Sequence, residues 1–305
     1  MIMSTSIQTP SSPVSRALTG AQVGIPPRHM NFRFPETAER YFAFNNNALA
    51  SQLFVVFSGI FPPGERFFME SVRHFRERIS DPVLRAEIAG FMGQEALHGR
   101  EHDKLNDYFR ARGLDPDLPD RFVRFGLRQL ERFAPRLQLA CTTAMEHWTA
   151  HLAEQWLTHT EFAATSDAEM LKLWYWHAVE ELEHKSVAYD VFEQVGGTLA
   201  ERRAAVAMLL VFMAPPILGS WLLLMAKDGQ LGNWRENARG IKALFGRDGF
   251  LTAVFKSIPD YLKADFHPSQ QQTMALEAEW KQRLFVEGGM LSAEFSNRQA
   301  VALAS

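Results

Sequence analysis

Several common signatures are missing from this 305-residue chain, and each absence excludes a class of protein. A single cysteine, Cys141, forms no internal disulfide, so a reducing, cytoplasmic compartment is the expected location. The formal net charge of −3 leaves no basic excess, and nucleic acid is therefore not an expected partner. The chain also lacks Gly-x-Gly-x-x-Gly, a phosphate-binding glycine-rich loop with lysine, and Cys-x-x-Cys. Nucleotide-binding and zinc-finger classes consequently lack support.

Alternating, β-branched runs bounded by turn residues are also missing, whereas long stretches repeat apolar residues at helical spacing. The sequence therefore predicts an all-α protein. The predicted helices cover roughly 46–59, 63–79, 82–112, 135–162 and 167–195. The last four are long, and the stretch 113–134 is long enough to cross from one end of a bundle to the other. One long crossover is typical of a ferritin-like four-helix bundle.

The pattern divides the chain into four parts. Residues 1–30 are rich in Ser, Pro and Thr, lack the apolar core of a secretory signal, and are predicted to form a disordered arm. Residues 31–200 contain the predicted bundle, and 201–290 form a C-terminal helical extension. Within it, shorter helices are predicted at 234–246, 248–264 and 268–285. The tail 291–305 is weakly patterned.

An uncharged apolar segment, 204–226, opens the extension. Its length would suffice to cross the hydrocarbon core of a bilayer. Pro215 and Pro216 stand in its middle and remove backbone donors, so two short helices are as compatible with the segment as one span. The alternatives are membrane contact, which would make the protein membrane-associated, and a hydrophobic hairpin packed on the bundle or in a homodimer interface.

Two predicted long helices each carry the motif Glu-x-x-His, as Glu95 with His98 and as Glu181 with His184. Residues three apart lie on one helix face, so a carboxylate and an imidazole at this spacing can bind the same ion. Two copies on two helices predict two ions. A di-metal carboxylate bundle needs one further inward glutamate from each remaining helix, and Glu65 and Glu146 are the candidates. The alternative is a set of solvated charge pairs with hydrogen-bonded core histidines.

His177 extends the second motif, because it lies four residues before Glu181 on the same helix face. It is the additional predicted ligand. The remaining histidines of these helices are expected to support the ligands or to be polar core residues; they are His102, His147 and His151. Ring nitrogens of ligands usually bond to a further polar group, and the candidates are Gln94, Glu180 and Glu183. Carboxylates with imidazoles favour iron, with manganese as the alternative, over zinc.

At these residues the chain resembles a bacterial family labelled predicted metal-dependent hydrolase. Its recurring pieces match Phe61 to Glu65, Gln94 to His102 and His177 to Lys185, and a later piece matches Tyr261 to Pro268. The resemblance covers roughly residues 40–270. It implies a metal-dependent enzyme, and its label implies hydrolysis.

The pattern His-x-x-x-Glu-x-x-His is similar to that on the last bundle helix of di-iron N-oxygenases of the p-aminobenzoate N-oxygenase type, which convert aryl amines to nitro compounds. This similarity implies that two irons are bound and that dioxygen reacts between them after reduction. The ligands that it implies are Glu65, Glu95, His98, Glu146, His177, Glu181 and His184.

Three functions follow as hypotheses. The first is an oxygenase or other oxidoreductase that acts on a small apolar or amine substrate and uses dioxygen and an electron donor. The second is a metal-dependent hydrolase, in which an ion activates water. The third is a non-catalytic metal-binding or membrane-associated protein. The abundant aromatic residues near the ligands favour the first, and the family label favours the second.

Overall fold

The computed structural model describes residues 17–304, and the all-α prediction is confirmed over this range. No strand ladder occurs among these residues, where β pairing is limited to one isolated bridge between Met30 and Phe295. The helices are Ala48–Arg73 (α1), Pro82–Ala111 (α2), Asp117–Leu130 (α3), Pro135–Thr158 (α4), Thr160–Thr165 (α5), Ala168–His184 (α6), Val187–Gln194 (α7), Leu199–Phe212 (α8), Ala214–Lys227 (α9), Trp234–Phe245 (α10), Thr252–Tyr261 (α11), Met274–Phe285 (α12) and Arg298–Ala304 (α13).

Four long helices form the bundle that the sequence predicts. α1 packs on α2, α2 on α6, α6 on α4, and α4 on α1, so the four helices enclose a common interior. The predicted crossover between α2 and α4 contains α3, which packs on α1. This architecture is that of a ferritin-like bundle with one long connection. Its interior is rich in large aromatic side chains, including the fully buried Trp156, Trp174 and Trp176.

The first bundle helix differs from the prediction, because the expected helices 46–59 and 63–79 are one helix. α1 continues through Pro62 and Pro63 without a break. A proline inside a helix leaves the carbonyl four residues earlier without its donor. Here that carbonyl belongs to Ser58, and the side-chain Nδ2 of Asn106 donates to it at 3.0 Å. A side chain of α2 therefore replaces the backbone bond that Pro62 removes.

The predicted helices 135–162 and 167–195 are each interrupted in their C-terminal part. The predicted helix 135–162 is divided into α4 and α5 at His159, whose ring Nδ1 accepts a hydrogen bond from the Phe162 backbone and caps the new helix. The predicted helix 167–195 is divided into α6 and α7 at Lys185 and Ser186. The Lys185 ammonium donates to the Gln271 carbonyl at 2.6 Å, so the C-terminal extension contacts the break directly.

The predicted disordered arm is wrong for residues 17–30, while residues 1–16 lie outside the described residues. Ile25 is buried, and its carbonyl would lie 2.5 Å from a Cβ added to Gly90, so this approach requires glycine on α2. Arg28 is buried and makes ion pairs with Glu180 and Glu183 on α6. The Ser, Pro and Thr content of 1–30 and its lack of an apolar period indicated disorder, but in residues 17–30 the burial of Ile25 and the ion pairs of Arg28 hold the chain against the bundle.

The apolar segment 204–226 forms parts of two helices, α8 and α9, that meet at Met213, with Pro215 and Pro216 in the first turn of α9. The whole run Leu199–Lys227 is long and apolar enough to cross a membrane by length and composition alone, which is weak evidence for a span. In the most apolar 18-residue stretch of this run, only 28% is buried inside the protein.

The remaining helices of the extension cover the bundle. α10 packs on α1, α11 on α4, and α12 on α6. In the tail, Leu291 and Phe295 are buried, and α13 follows them. Residues from 250 onward therefore contribute to the same core as the bundle.

Candidate metal centre

Each of the four bundle helices contributes at least one predicted ligand to the interior. Glu65 comes from α1, Glu146 from α4, and the two histidine-containing motifs from α2 and α6. All seven side chains are at most 2% exposed; they are Glu65, Glu95, His98, Glu146, His177, Glu181 and His184. Ionisable groups are rarely buried so completely without a partner or a metal. The burial argues against the alternative of solvated helix faces.

The side chains form two adjacent groups that could each hold an ion. In the first, Glu65, His98 and His177 each offer one ligand atom, and these atoms lie within 4.8 Å of one another. The Glu65 Oε1 atom is 3.7 Å from His177 Nε2. The imidazole rings of His98 and His177 stack with centroids 4.1 Å apart.

The second group contains Glu95, Glu181 and His184, again with one ligand atom each within 4.8 Å. The His184 Nε2 atom lies 3.1 Å from Glu95 Oε1 and 3.6 Å from Glu181 Oε2. Glu146 Oε2 is 3.7 Å from the same nitrogen. Glu146 therefore adjoins this group.

Glu181 lies between the two groups. Its Oε1 atom is 2.9 Å from His177 Nε2 and 3.7 Å from His98 Nδ1, whereas its Oε2 atom faces His184. One carboxylate thus presents an oxygen to each group. The first motif is divided, since His98 falls in the first group and Glu95 in the second. This grouping therefore does not favour the prediction that Glu95 and His98 bind the same ion.

The donor atoms have the arrangement expected of metal ligands. Nine buried nitrogen and oxygen atoms of these side chains have no hydrogen-bond partner within residues 17–304; they are both oxygens of Glu65, Glu95 and Glu146, Oε2 of Glu181, Nδ1 of His98 and Nε2 of His184. Buried polar atoms almost always have partners, so nine convergent exceptions need an explanation. Divalent ions bound by carboxylate oxygens and imidazole nitrogens would supply the missing partners. The residues therefore fit a two-metal centre.

The other ring nitrogen of each histidine is bonded to a supporting residue. His98 Nε2 is 3.0 Å from Glu180 Oε2, and His184 Nδ1 is 3.1 Å from Gln94 Oε1. If the bonded nitrogens carry the protons, the other two, His98 Nδ1 and His184 Nε2, keep lone pairs that face the interior. Such outer bonds fix the ring orientation of metal-binding histidines. Gln94 and Glu180 thus lie where the sequence predicts supporting groups.

The comparison with family models agrees with this geometry. The family described as predicted metal-dependent hydrolase matches residues 26–272, which include every residue of the centre. The chain belongs to this family. No curated protein and no solved structure matches the chain. Metal dependence is therefore supported by the family and by the buried clusters alike. Of the reactions considered above, the family description names hydrolysis.

The third histidine of the centre begins a chain of hydrogen bonds that leads away from it. His177 Nδ1 is 2.7 Å from His102 Nε2, and His102 Nδ1 is 3.1 Å from the Ser58 hydroxyl. That hydroxyl donates to Asn106 Oδ1 at 2.8 Å. His102 therefore supports a ligand, one of the roles predicted for it. His147 does not approach the centre, since its Nε2 bonds the Ser257 carbonyl, and His151 lies beside it.

A buried ion cluster supports the outer side of the centre in this family member. Arg28 donates to Glu180 at 2.9 Å and to both oxygens of Glu183 at 2.8 and 2.6 Å, and Lys281 pairs with Glu183 at 2.8 Å. The Gln94 side-chain amide also donates to Glu183. Glu183 therefore contacts these cations and the amide, not the ring nitrogen that the sequence suggested.

Sequence reasoning missed Arg28, Lys281 and Ser58. Arg28 stands in a segment that composition assigns to a disordered arm, and Lys281 is one of several charged residues on a short amphipathic helix. Ser58 lies in a predicted helix, but no local pattern indicates that its hydroxyl contacts His102 of α2. A buried carboxylate needs a partner, so Glu183, which shares a long helix with the predicted ligands, was the only signal that such cations exist.

Burial sets the proton affinities of the metal-free centre. Burial, reinforced by repulsion from Glu181, raises the pKa of Glu65, Glu95 and Glu146 well above the ordinary range. Burial also works to raise the pKa of Glu181, but the adjacent His184 and His177 outweigh it and lower that pKa. As the pH rises, Glu181 is consequently the first of the four glutamates of the metal-free centre to ionise.

Aromatic rings enclose the histidines on their outer sides. Phe61 contacts His177 with ring centroids 4.8 Å apart, Trp176 contacts His98 at 4.9 Å, and Phe91 contacts His184 at 5.0 Å. The rings exclude water, so the centre has a low local dielectric. Electrostatic interactions inside it are correspondingly stronger than in water.

Proposed function

We propose that this protein is an enzyme with two metal ions bound by four carboxylates and three imidazoles. Glu65, His98 and His177 would hold one ion, and Glu181 would bridge to the other. The second ion would be held by Glu95, Glu146 and His184. The convergence of nine unpartnered donor atoms supports this proposal most directly.

We propose a redox reaction with dioxygen as the first candidate, because the donor set suits iron. Iron, with manganese as the alternative, suits hard carboxylates mixed with imidazoles, and two reduced irons would supply the electrons for dioxygen reduction. The enclosed aromatic surroundings favour a small apolar or amine substrate, which an electron donor would accompany. Four glutamates among seven ligands are more than a structural zinc site uses.

The chain's own residues would orient the ligands and control their protons. Glu180 Oε2 would accept the Nε2 proton of His98, which would leave a lone pair on Nδ1 for an ion. Gln94 Oε1 accepts the Nδ1 proton of His184 with the same effect. Protons on Glu65, Glu95 and Glu146 must leave before these side chains bind an ion, because their pKa values are raised in the metal-free protein.

Hydrolysis is the second candidate, and the family description favours it. An ion would then lower the pKa of a bound water. Three cations near the centre are engaged elsewhere: Arg28 and Lys281 pair with Glu183, and Lys185 donates to the Gln271 carbonyl. None of these three is free to bind a phosphate, which favours an uncharged ester or amide as the substrate of a hydrolase built on this centre.

Metal analysis tests the two-metal centre. Protein produced with iron supplementation should hold about two ions per chain, one for each side-chain group, and Glu181→Gln should reduce both because the bridge is weakened. Glu77→Gln is the matched control, since Glu77 has an 85% exposed side chain on the surface. Wild-type protein without bound metal, or a Glu181→Gln variant with full metal content, would contradict the centre.

A second measurement separates the two reactions. The reduced, iron-loaded protein is exposed to dioxygen while absorbance and oxygen consumption are followed, and the same preparation is assayed with neutral esters and amides. Oxygen consumption that depends on iron and on Glu181 supports the oxidoreductase. Ester or amide cleavage with a redox-inactive metal, and no oxygen consumption with iron, supports the hydrolase instead.

A further inference from the structure

A large apolar face lies on the surface remote from the buried centre, on α8 to α11. Its side chains are between 41% and 70% exposed; they are Leu210, Val211, Leu218, Leu222, Leu223, Leu231, Trp234, Ile241, Phe245 and Phe255. Single exposed apolar residues are common, but a contiguous group of this size marks an interaction surface. We call this set the apolar face.

Ring contacts connect the helices α9, α10 and α11 at the apolar face. Trp221 of α9 lies 6.3 Å from Phe245 of α10, measured between ring centroids, and Phe245 lies 6.0 Å from Phe255 of α11. The indole Nε1 of Trp221 also donates to the Leu49 carbonyl of α1 at 3.0 Å. The inner side of α9 is thus attached to the bundle while its outer side carries exposed leucines.

The helix α10 carries a row of apolar side chains on the side that faces solvent. Trp234, Ala238, Ile241 and Phe245 are all exposed and follow the spacing i, i+4, i+7, i+11. Cations stand beside this stripe. A helix with an outward apolar stripe and flanking cations has the composition of helices that lie in the membrane interface.

The charge of this region is opposite in sign to that of the whole chain. Residues 229–258 contain five cations, Arg235, Arg239, Lys242, Arg247 and Lys256, and two acidic residues, Glu236 and Asp248, which gives a net charge of +3 in a chain of −3. All five cations are exposed. Lys242, Arg247 and Lys256 have no ion-pair partner in the described part of the chain. Anionic lipid headgroups would complement them.

We propose that the apolar face docks this protein on an anionic lipid bilayer, with α10 in the interface and α8–α9 lying along it. Because α9 packs on α1 and α3 of the bundle, the proposed arrangement has the segment lying on the bilayer surface and not crossing it. A second copy of the chain is a poorer occupant, because a symmetric dimer would bring the same cations together. The proposal is independent of the reaction at the metal centre.

Vesicle co-sedimentation of the full, metal-loaded chain tests the docking surface. Binding is measured to phosphatidylcholine vesicles with and without about 30% phosphatidylglycerol, at about 0.1 M and about 0.5 M salt. We expect binding to the anionic vesicles that weakens at the higher salt. The double substitution Lys242→Gln with Lys256→Gln should weaken vesicle binding roughly 30-fold, because each cation contributes a factor of about five. Trp234→Ser with Ile241→Ser should weaken it by more than about tenfold.

Matched controls are available on α12, away from the apolar face. Met274 is 81% exposed and the Arg283 side chain 55% exposed, so Met274→Ser with Arg283→Gln should leave binding unchanged. Circular dichroism and metal content establish that every variant is folded. Absent binding to anionic vesicles, or equal loss in the control, overturns the proposal. A dimer that the Trp234 and Ile241 substitutions disperse, without vesicle binding, also overturns it and assigns the face to a second copy.

Discussion

The metal-free centre should make the stability of the protein fall as the pH rises through neutrality. Burial raises the pKa of Glu65, Glu95 and Glu146 well above the ordinary range, and it raises the pKa of Glu180 to about 8 although Arg28 opposes the shift. In the unfolded chain these carboxyl groups regain their ordinary pKa. Between the two values the folded protein binds more protons than the unfolded chain, so each rise in pH favours unfolding.

The size of the effect follows from the number of protonated groups. Each carboxyl group that stays protonated in the folded state lowers the free energy of unfolding by about 1.4 kcal/mol per pH unit. Four such groups set an upper limit of about 5.5 kcal/mol per pH unit, and one sets a lower limit of about 1.4. Burial lowers the pKa of His98 and His102, so these groups oppose the slope below and just above about pH 6.5, where the histidines of the unfolded chain still bind protons, and the opposition fades at higher pH. The window for the measurement is therefore about pH 7 to 8.

Urea unfolding of chelator-treated protein across this window measures the slope. Glu95→Gln should reduce it by about 1.4 kcal/mol per pH unit, because one titrating group is removed. Glu77→Gln, at an exposed position, should leave it unchanged. Metal-loaded protein should show a weaker slope, because bound ions keep the carboxylates ionised. A flat or rising stability in the metal-free protein would refute the reasoning.

Three further substitutions test the residues around the centre. Arg28→Met should destabilise the fold by about 3–5 kcal/mol in urea unfolding, since it leaves two buried carboxylates short of a cation, whereas Arg85→Met on the surface should cost less than about 0.5. Asn106→Leu should cost about 1–3 kcal/mol in the same assay because it orphans the carbonyl freed by a proline of α1. Gln94→Leu should weaken metal binding about 10–100-fold in a competition titration, with Gln129→Leu on α3 as the unaffected control.

The bundle could be predicted because its signals are local. Periodic apolar residues and turn residues locate α2 to within one residue of its observed end at Ala111. α1 was divided at Pro62 and Pro63 because a proline normally ends a helix, and no local rule indicates that Asn106, on another helix, replaces the lost bond. Helix breaks that depend on tertiary contacts, such as that at Lys185, were missed for the same reason.

The convergence of the seven predicted side chains could be anticipated from the sequence, but not how they are divided between two groups. Helical spacing places Glu95 and His98 on one face, and their motif suggested a common ion. In the structure His98 points its Nδ1 atom toward Glu181 Oε1, because its Nε2 atom bonds Glu180. The choice of nitrogen depends on a neighbour from another helix. Sequence spacing carries no information on it.

The polar core of this protein contains two kinds of buried group, and the difference between them carries the functional argument. On the outer side, Glu183 is paired with Arg28 and Lys281, as a buried charge requires, and Arg28 also donates to Glu180. On the inner side, carboxylates of three helices point at one another with raised pKa values and without partners. Such clustering is unfavourable for the fold alone, since protonated or repelling carboxyl groups could be replaced by apolar residues. Bound metal ions would turn the same cluster into a source of stability, which would account for the concentration of these glutamates in the bundle.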